Sequence, residues 1–178
     1  MSRTAHFRLL AQYNDWMNHK LYEAAATLPE EERHAERGAF FGSLHMTLQH
    51  IAVADVIWLR RFGAHPHFAS ILAEVMALPQ TVDGRGEPMS WEALRVRRAW
   101  LDRQIMHWTC ALTEADLDLV IHYKSLAGVP GSRCLGGLVT HFFNHQTHHR
   151  GQATTLLFQQ GIDVGVTDLV ALIPEHGT

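Results

Sequence analysis

Four stretches of this chain carry apolar side chains at every third or fourth position, and that period admits one kind of element, a helix with a buried face. The last stretch, from residue 135 to about 159, constrains the chain most. There Leu138, His141, Phe142, His145, His149, Gln152 and Leu156 share one broad stripe, so imidazoles sit where a core helix carries hydrocarbon. Residues four apart on a helix lie one turn apart on one face, and His145 and His149 can therefore aim ring nitrogens at a common point. A divalent cation fits that point. His141 and His148 fall in the same sector, which predicts up to four imidazoles near the interior. The alternative is hydrogen-bonded core histidines, and with 14 histidines in the chain some clustering arises by chance. A third ligand decides between the two.

The first long helix is capped by Thr4 and stopped by Pro29, with Phe7, Leu10, Ala11, Met17, Leu21, Ala25 and Leu28 on one face. Asn14 and Asn18 interrupt that face. A buried amide costs on the order of 1–3 kcal/mol unless bonded, so these two either hydrogen-bond another helix or line a polar pocket. After a short acidic helical turn and a loop through Gly38 and Gly42, a second helix runs from Ser43 to Phe62. It is apolar almost all round, as buried helices are. His50 lies on it among Met46, Ala54 and Ile57 and is the candidate third ligand; Asp55 lies in the other stripe.

Prolines and the Asp83-Gly-Arg-Gly86 turn mark residues 65–88 as a long surface crossover, with one short helix near residues 71–78. His65 and His67 in it are expected to be solvated. The third long helix follows Ser90 and turns Leu94, Leu101, Ile105, Trp108 and Leu112 inward. Arg98 on the same stripe is expected to snorkel to water, or else to meet an anionic substrate. Residues 119–123 have strand composition and 128–131 turn composition, which gives a small hairpin before the fourth helix. The tail beyond Gly161 is too apolar to hang free and packs on the bundle or against a second subunit.

The fold class that results is all-α: a four-helix bundle with a long crossover between helices 2 and 3 and a small β-hairpin before helix 4, expected as one domain over 1–178. Such bundles build metal sites from inward side chains of facing helices. At 178 residues the chain supports a sizeable core without disulfides or structural metal, so a metal here serves something other than folding. The 47% apolar and 19% charged residues are those of a globular protein. A net charge of −3 with scattered arginines excludes the long basic face that nucleic-acid binding needs. Arg60 and Arg61 read as the dipole-compensating end of a helix. Cys110 and Cys134 have neither zinc-ribbon nor disulfide-framework spacing. With no signal segment and no run able to span a bilayer, the expected location is cytoplasmic and membrane is not an expected partner.

Several chemistries lack their motifs. A lone Glu31-x-x-His34 cannot make a di-iron carboxylate site, which needs two. There is no HExxH, GxSxG, phosphate loop or Rossmann glycine pattern.

The block Asn144-His145-Gln-Thr-His148-His149-Arg150-Gly151-Gln152, with Leu48-Gln49-His50 and Asp55-x-x-Trp58, resembles the DinB-like family of four-helix-bundle metalloenzymes. Tyr13-Asn14-Asp15-Trp16, Asn18 and Gly165-Val-Thr-Asp168 are similar to it as well. The resemblance implies a divalent ion held by one histidine of the second helix and two of the fourth, matching His50, His145 and His149. Three protein ligands leave a coordination position open for water, thiol or substrate, as in catalytic rather than structural sites. Zinc or nickel is expected ahead of iron or manganese. Relatives that transfer or isomerise with low-molecular-weight thiols imply a thiol cosubstrate. His141 and His148 then fall outside the metal set, Gly151 suits close approach of a neighbouring helix, and Arg150 faces the other way.

The leading expectation is a metal-dependent enzyme on a small-molecule substrate, thiol-dependent transferase or isomerase first and hydrolase second. The next, from another class, is a non-catalytic, stress-related metal-binding protein that forms a homodimer through its tail. The last is a bundle whose histidines serve structure alone.

Overall fold

The computed structural model describes residues 1–79 and 86–175. Residues 83–85 of the expected crossover turn lie outside the described residues. The chain forms α1 (Arg3–Ala26), α2 (Glu30–His34), α3 (Leu44–Gly63), α4 (Ala73–Met76), α5 (Trp91–Ala111), β1 (Val120–Lys124), β2 (Pro130–Cys134) and α6 (Leu135–Phe158). Three-residue and four-residue 3₁₀ turns at Asp116–Asp118 and Leu169–Leu172 complete the described chain. The four long helices are the expected ones. Helix α1 packs on α5 and α6, and α3 packs on the same two, which closes a bundle. Its core is made where the four stripes meet, with Leu21, Leu59, Phe62, Leu94, Leu101, Ile105, Trp108 and Leu157 fully buried. Phe62 stacks on Trp108 at 4.8 Å and 13° between planes.

Three of the long helices begin with a serine whose hydroxyl accepts an otherwise orphaned amide: Ala5 to Ser2 at 3.1 Å, Met46 to Ser43 at 3.2 Å and Ala93 to Ser90 at 3.3 Å. The first cap is thus Ser2 and not Thr4. Thr4 is buried, and its amide and hydroxyl both donate to Glu114 at 2.8 Å, a partner more than a hundred residues away that no local pattern reveals.

The crossover is less superficial than its prolines suggest. Phe68, Leu72 and Val75 are buried against the core, so its first half is part of the bundle wall. His67 is solvated but also lies 2.9 Å from Asp116 Oδ1, tying the crossover to the 3₁₀ turn before the hairpin. Beyond the undescribed residues the chain returns at Gly86, whose φ is +71°. A Cβ there would stand 2.7 Å from Val53 Cγ2, so only glycine lets this segment lie against α3. Strands β1 and β2 pair antiparallel, Val120 opposite Cys134 and Lys124 opposite Pro130.

The tail runs back along α1. Tyr13 donates its hydroxyl to Thr167 O at 2.6 Å and Lys20 donates to Val166 O. Ile162 and Val164 pack on the core, whereas Val166, Val170 and Ile173 face outward. Among the described residues, no helix is long and apolar enough to cross a membrane.

Candidate metal centre

Helices α3 and α6 lie side by side, and this brings His50 to His145 and His149. His50 Nε2 is 3.2 Å from His145 Nε2, and His149 Nε2 is 3.1 Å from the same atom. The rings of His50 and His149 are 4.6 Å apart, centre to centre, nearly perpendicular. Among the described residues, this is the group whose three ligand atoms lie within 4.8 Å of one another and could hold a metal ion. Nitrogens at a zinc–nitrogen bond of 2.0–2.1 Å stand about 3.3 Å apart at the corners of a tetrahedron, close to the spacing found.

The hydrogen-bond arithmetic of the three rings also leaves a lone pair open to a cation. His149 Nδ1 lies 2.8 Å from Gln152 Oε1. That oxygen only accepts, so the proton of a neutral His149 is on Nδ1 and its Nε2 presents a lone pair inward. A proton on His145 Nε2 can serve one neighbour but not both. Three inward nitrogens therefore leave an acceptor that the other two rings do not satisfy, a position that a cation or a water fills. Burial, and then the proximity of the other rings, lowers the pKa of His50 to about 4 and of His145 to about 3. Burial lowers His149 too, partly opposed by the Gln152 bond. All three rings are thus neutral near pH 7, the form that ligates.

The loop between α2 and α3 closes one side. Phe41 stacks flat on His50, 4.0 Å between centres and 22° between planes, and meets His149 edge-on at 5.3 Å. Phe40, outside it, is exposed.

His141 and His148 are not interior. Both are exposed, because the buried stripe of α6 is centred on Phe142, Gln146 and Ala153, and the histidine sector lies at its edge, with His149 just inside and His141 and His148 beyond it. His148 lies 3.5 Å from Gln152 and meets the His149 ring edge-on at 4.7 Å. Gly151 is likewise exposed, and a Cβ there would meet nothing within 4 Å, so no neighbouring helix requires it. Arg150, by contrast, is buried and donates to Asn14 Oδ1 on α1.

That contact belongs to a polar layer across the bundle behind the histidines. Asp102 on α5 accepts from Asn14 at 2.9 Å and from Asn18 at 2.8 Å, both through Oδ1. Arg98 donates Nε to Asp102 Oδ2 at 3.0 Å and Nη1 to Asp55 Oδ2 at 2.6 Å. Its Nη2 lies 2.9 Å from Asp102 Oδ1 as an ion contact, off the line of a hydrogen bond. Gln146 on α6 donates to Asp55 Oδ1 at 2.8 Å. None of these seven side chains is more than 4% exposed, so the charges must be balanced internally, and two carboxylates meet two guanidinia. Burial still raises Asp55, and Asp102 to about 6, against the pull of Arg98. Arg98 therefore does not snorkel. Asn14 and Asn18 are interhelical bridges; Asn18 also lines a surface cleft between α1 and α5, with His19 and Arg95 at its rim.

Sequence reasoning brought forward the three histidines and missed Phe41, which sits in a loop with no periodic signal. It also missed Gln152 as the partner of His149 and Asp102 as the partner of Arg98, though spacings of three and four residues pointed to both.

The family model for the DinB family matches residues 1–176. The protein DinB of Bacillus subtilis (strain 168) is 26% identical over 159 residues, which cover 89% of this chain and 88% of that one.

Proposed function

The chain belongs to the DinB family, and from that premise we propose that it is a divalent-metal-dependent enzyme acting on a small molecule, with His50, His145 and His149 as the ligands. One observation carries this reading: three neutral imidazoles from two helices turn their Nε2 atoms to one point at bonding separation. A divalent ion held there supplies Lewis acidity and lowers the pKa of a water or thiol that reaches it. The chain's own residues supply the rest. Gln152 fixes the His149 tautomer, Phe41 holds the His50 ring and excludes water from one side, and three ligands leave room for substrate on the other. Because no carboxylate joins the set, zinc or nickel suits it better than manganese, with iron between. Transfer to or from a low-molecular-weight thiol is the preferred reaction and hydrolysis the second.

Metal analysis of the purified protein tests this. The expected result is close to one divalent ion per chain in the wild type and loss of most of it in His149→Ala. Unchanged metal content in that variant overturns the assignment. A second reading, a non-catalytic metal-binding dimer, is favoured by the outward Val166, Val170 and Ile173 of the tail. Full metal occupancy without turnover on any thiol-transfer or hydrolase substrate, together with a dimer broken by Val170→Glu, would select it.

A further inference from the structure

Resting on the metal reading above, we propose that the outer face of the α3–α6 pair carries a second recognition point, Arg61, which binds a carboxylate at the far end of a substrate whose reactive end lies at the histidines. Eleven residues separate His50 from Arg61, and at 100° per residue they point within about 20° of each other. They stand about 16 Å apart along the helix, and the long Arg61 side chain leans back toward His50. Between them on this face lie the small, buried Ala54 and the half-buried Ile57, so the stretch from one to the other is apolar.

A row of ring contacts joins the two ends, crossing from α6 to α3. His145 and His141 are 6.1 Å apart, and His141 meets Trp58 edge-on at 5.0 Å. The Arg61 guanidinium lies 4.4 Å from the Trp58 ring centre and 5.2 Å from that of Tyr123. The faces of two aromatic rings thus hold the cation in place, leaving its edge for a partner.

Arg61 is also a cation with donors to spare. It donates one N–H to Lys124 O at 3.1 Å, and among the described residues no carboxylate pairs with it. Its neighbour Arg60 spends its guanidinium on the carbonyls of Val75, Met76 and Leu78, closing the end of α4. Arg98 is ion-paired with Asp55 and Asp102 inside the bundle. Half-buried and charged, with a planar fork of five donors of which one is used, Arg61 matches a carboxylate. Burial lowers its pKa from the ordinary value, the direction that a bound anion would reverse. The ligand class is an elongated small molecule with a metal-seeking group at one end, an apolar middle and a carboxylate at the other.

The test uses cobalt-loaded protein, in which a thiol that sheds its proton to buffer and ligates the metal gives a charge-transfer band. Titrations compare ω-mercaptooctanoate with the matching ω-mercaptooctanol, and with the shorter mercaptopropionate. The acid is expected to bind at least about tenfold tighter than the alcohol, a factor one charge-assisted hydrogen-bonded pair supplies. Arg61→Gln should abolish that preference while alcohol binding stays within twofold, and Arg61→Lys should restore part of it. Equal binding of acid and alcohol by the wild type overturns the inference alone, as does a preference that persists in Arg61→Gln or is as large for mercaptopropionate. Failure to take up cobalt at all overturns the metal reading and this inference with it. Since Arg61 also holds the hairpin through Lys124 O, helical circular dichroism and the cobalt spectrum of the unliganded variants confirm that the fold and the metal centre are intact.

Discussion

Replacing Arg98 by methionine removes one positive charge from the polar layer while nearly keeping its volume, and the geometry sets the cost. Arg98 is 3% exposed and contacts both Asp55 and Asp102, so its loss leaves two buried carboxylates with Arg150 as the one remaining cation of the layer. Breaking a buried pair from one side costs about 3–5 kcal/mol, because the orphaned charge cannot reach water. At about 2–4 °C per kcal/mol for a chain of this size, the melting temperature should fall by roughly 6–20 °C. The sign of the pH dependence is specific. Burial already raises the Asp102 pKa to about 6, and without Arg98 it rises further. A carboxyl whose folded pKa exceeds its unfolded value binds more protons when folded, so the variant loses stability as pH rises above the unfolded value. The gap between wild type and Arg98→Met should therefore be widest at pH 8 and narrow by pH 5. Urea titrations followed by circular dichroism at pH 5, 6, 7 and 8 measure it. A loss below about 1 kcal/mol at pH 7, or one that does not change with pH, would refute the claim that the layer is held by charge balance. Adding Asp102→Leu to Arg98→Met should recover part of the loss, since the orphaned carboxylate is then gone.

Three other outcomes follow from the metal centre. His149→Ala should lose its metal, as measured by elemental analysis, while His148→Ala, one residue away but exposed, should keep it. Gln152→Leu removes the acceptor that fixes the His149 tautomer and should weaken zinc binding by about 10–100-fold in a competition titration with a chromophoric chelator; an unchanged affinity would show that the ring is oriented by packing alone. In the metal-free protein, the depressed pKa values of His50 and His145 favour the folded state above pH 6.5, and this contribution is lost as pH falls toward 4 and then 3. The stability of wild type relative to His145→Gln should therefore fall across that window, and a flat difference curve from pH 7 to 5 would contradict it.

The bundle was legible in the sequence because each long helix carries its own periodic stripe, and a period needs no partner to be read. The same holds for His145 and His149, one turn apart on one helix. His50 was legible only as a polar residue out of place in an apolar stripe; that it meets the other two is a fact of helix packing, carried by no local pattern. Errors arose where the decisive partner is distant. Thr4 looks like a cap until Glu114 claims it. Arg98 looks like a snorkelling side chain until Asp55, from another helix, is seen to pair with it. His141 and His148 share a sector with the ligands on an ideal wheel, but the wheel does not say where a buried stripe ends, and both are exposed. Phe41 had no signal at all, since loops position side chains by turns rather than by period.

The polar layer explains why α6 alternates as it does. His145 and His149 face α3 from one side of the helix, and the residue after each, Gln146 and Arg150, enters the bundle from the other. On α1 the layer uses Asn14 and Asn18 and on α5 Arg98 and Asp102, each again one turn apart, so three helices meet it with pairs of the same pitch. An apolar interface tolerates sliding by part of a turn at modest cost, whereas a layer of directional bonds to buried charges has one register in which every group is paired. Asp55 ties α3 to that register through Gln146 and Arg98, five residues from His50 on its own helix. The separation of His50 from His145 is thus held by bonds on the far side of both helices, and a site built from two helices keeps its spacing without a ligand to enforce it. It follows that Gln146→Leu, which touches no histidine, should weaken zinc binding together with stability. Asn18→Leu, at the rim of the same layer, should lower stability with a smaller effect on the metal. Equal losses of metal affinity in the two variants would mean that the layer stabilises the bundle as a whole without setting the register of α3 on α6.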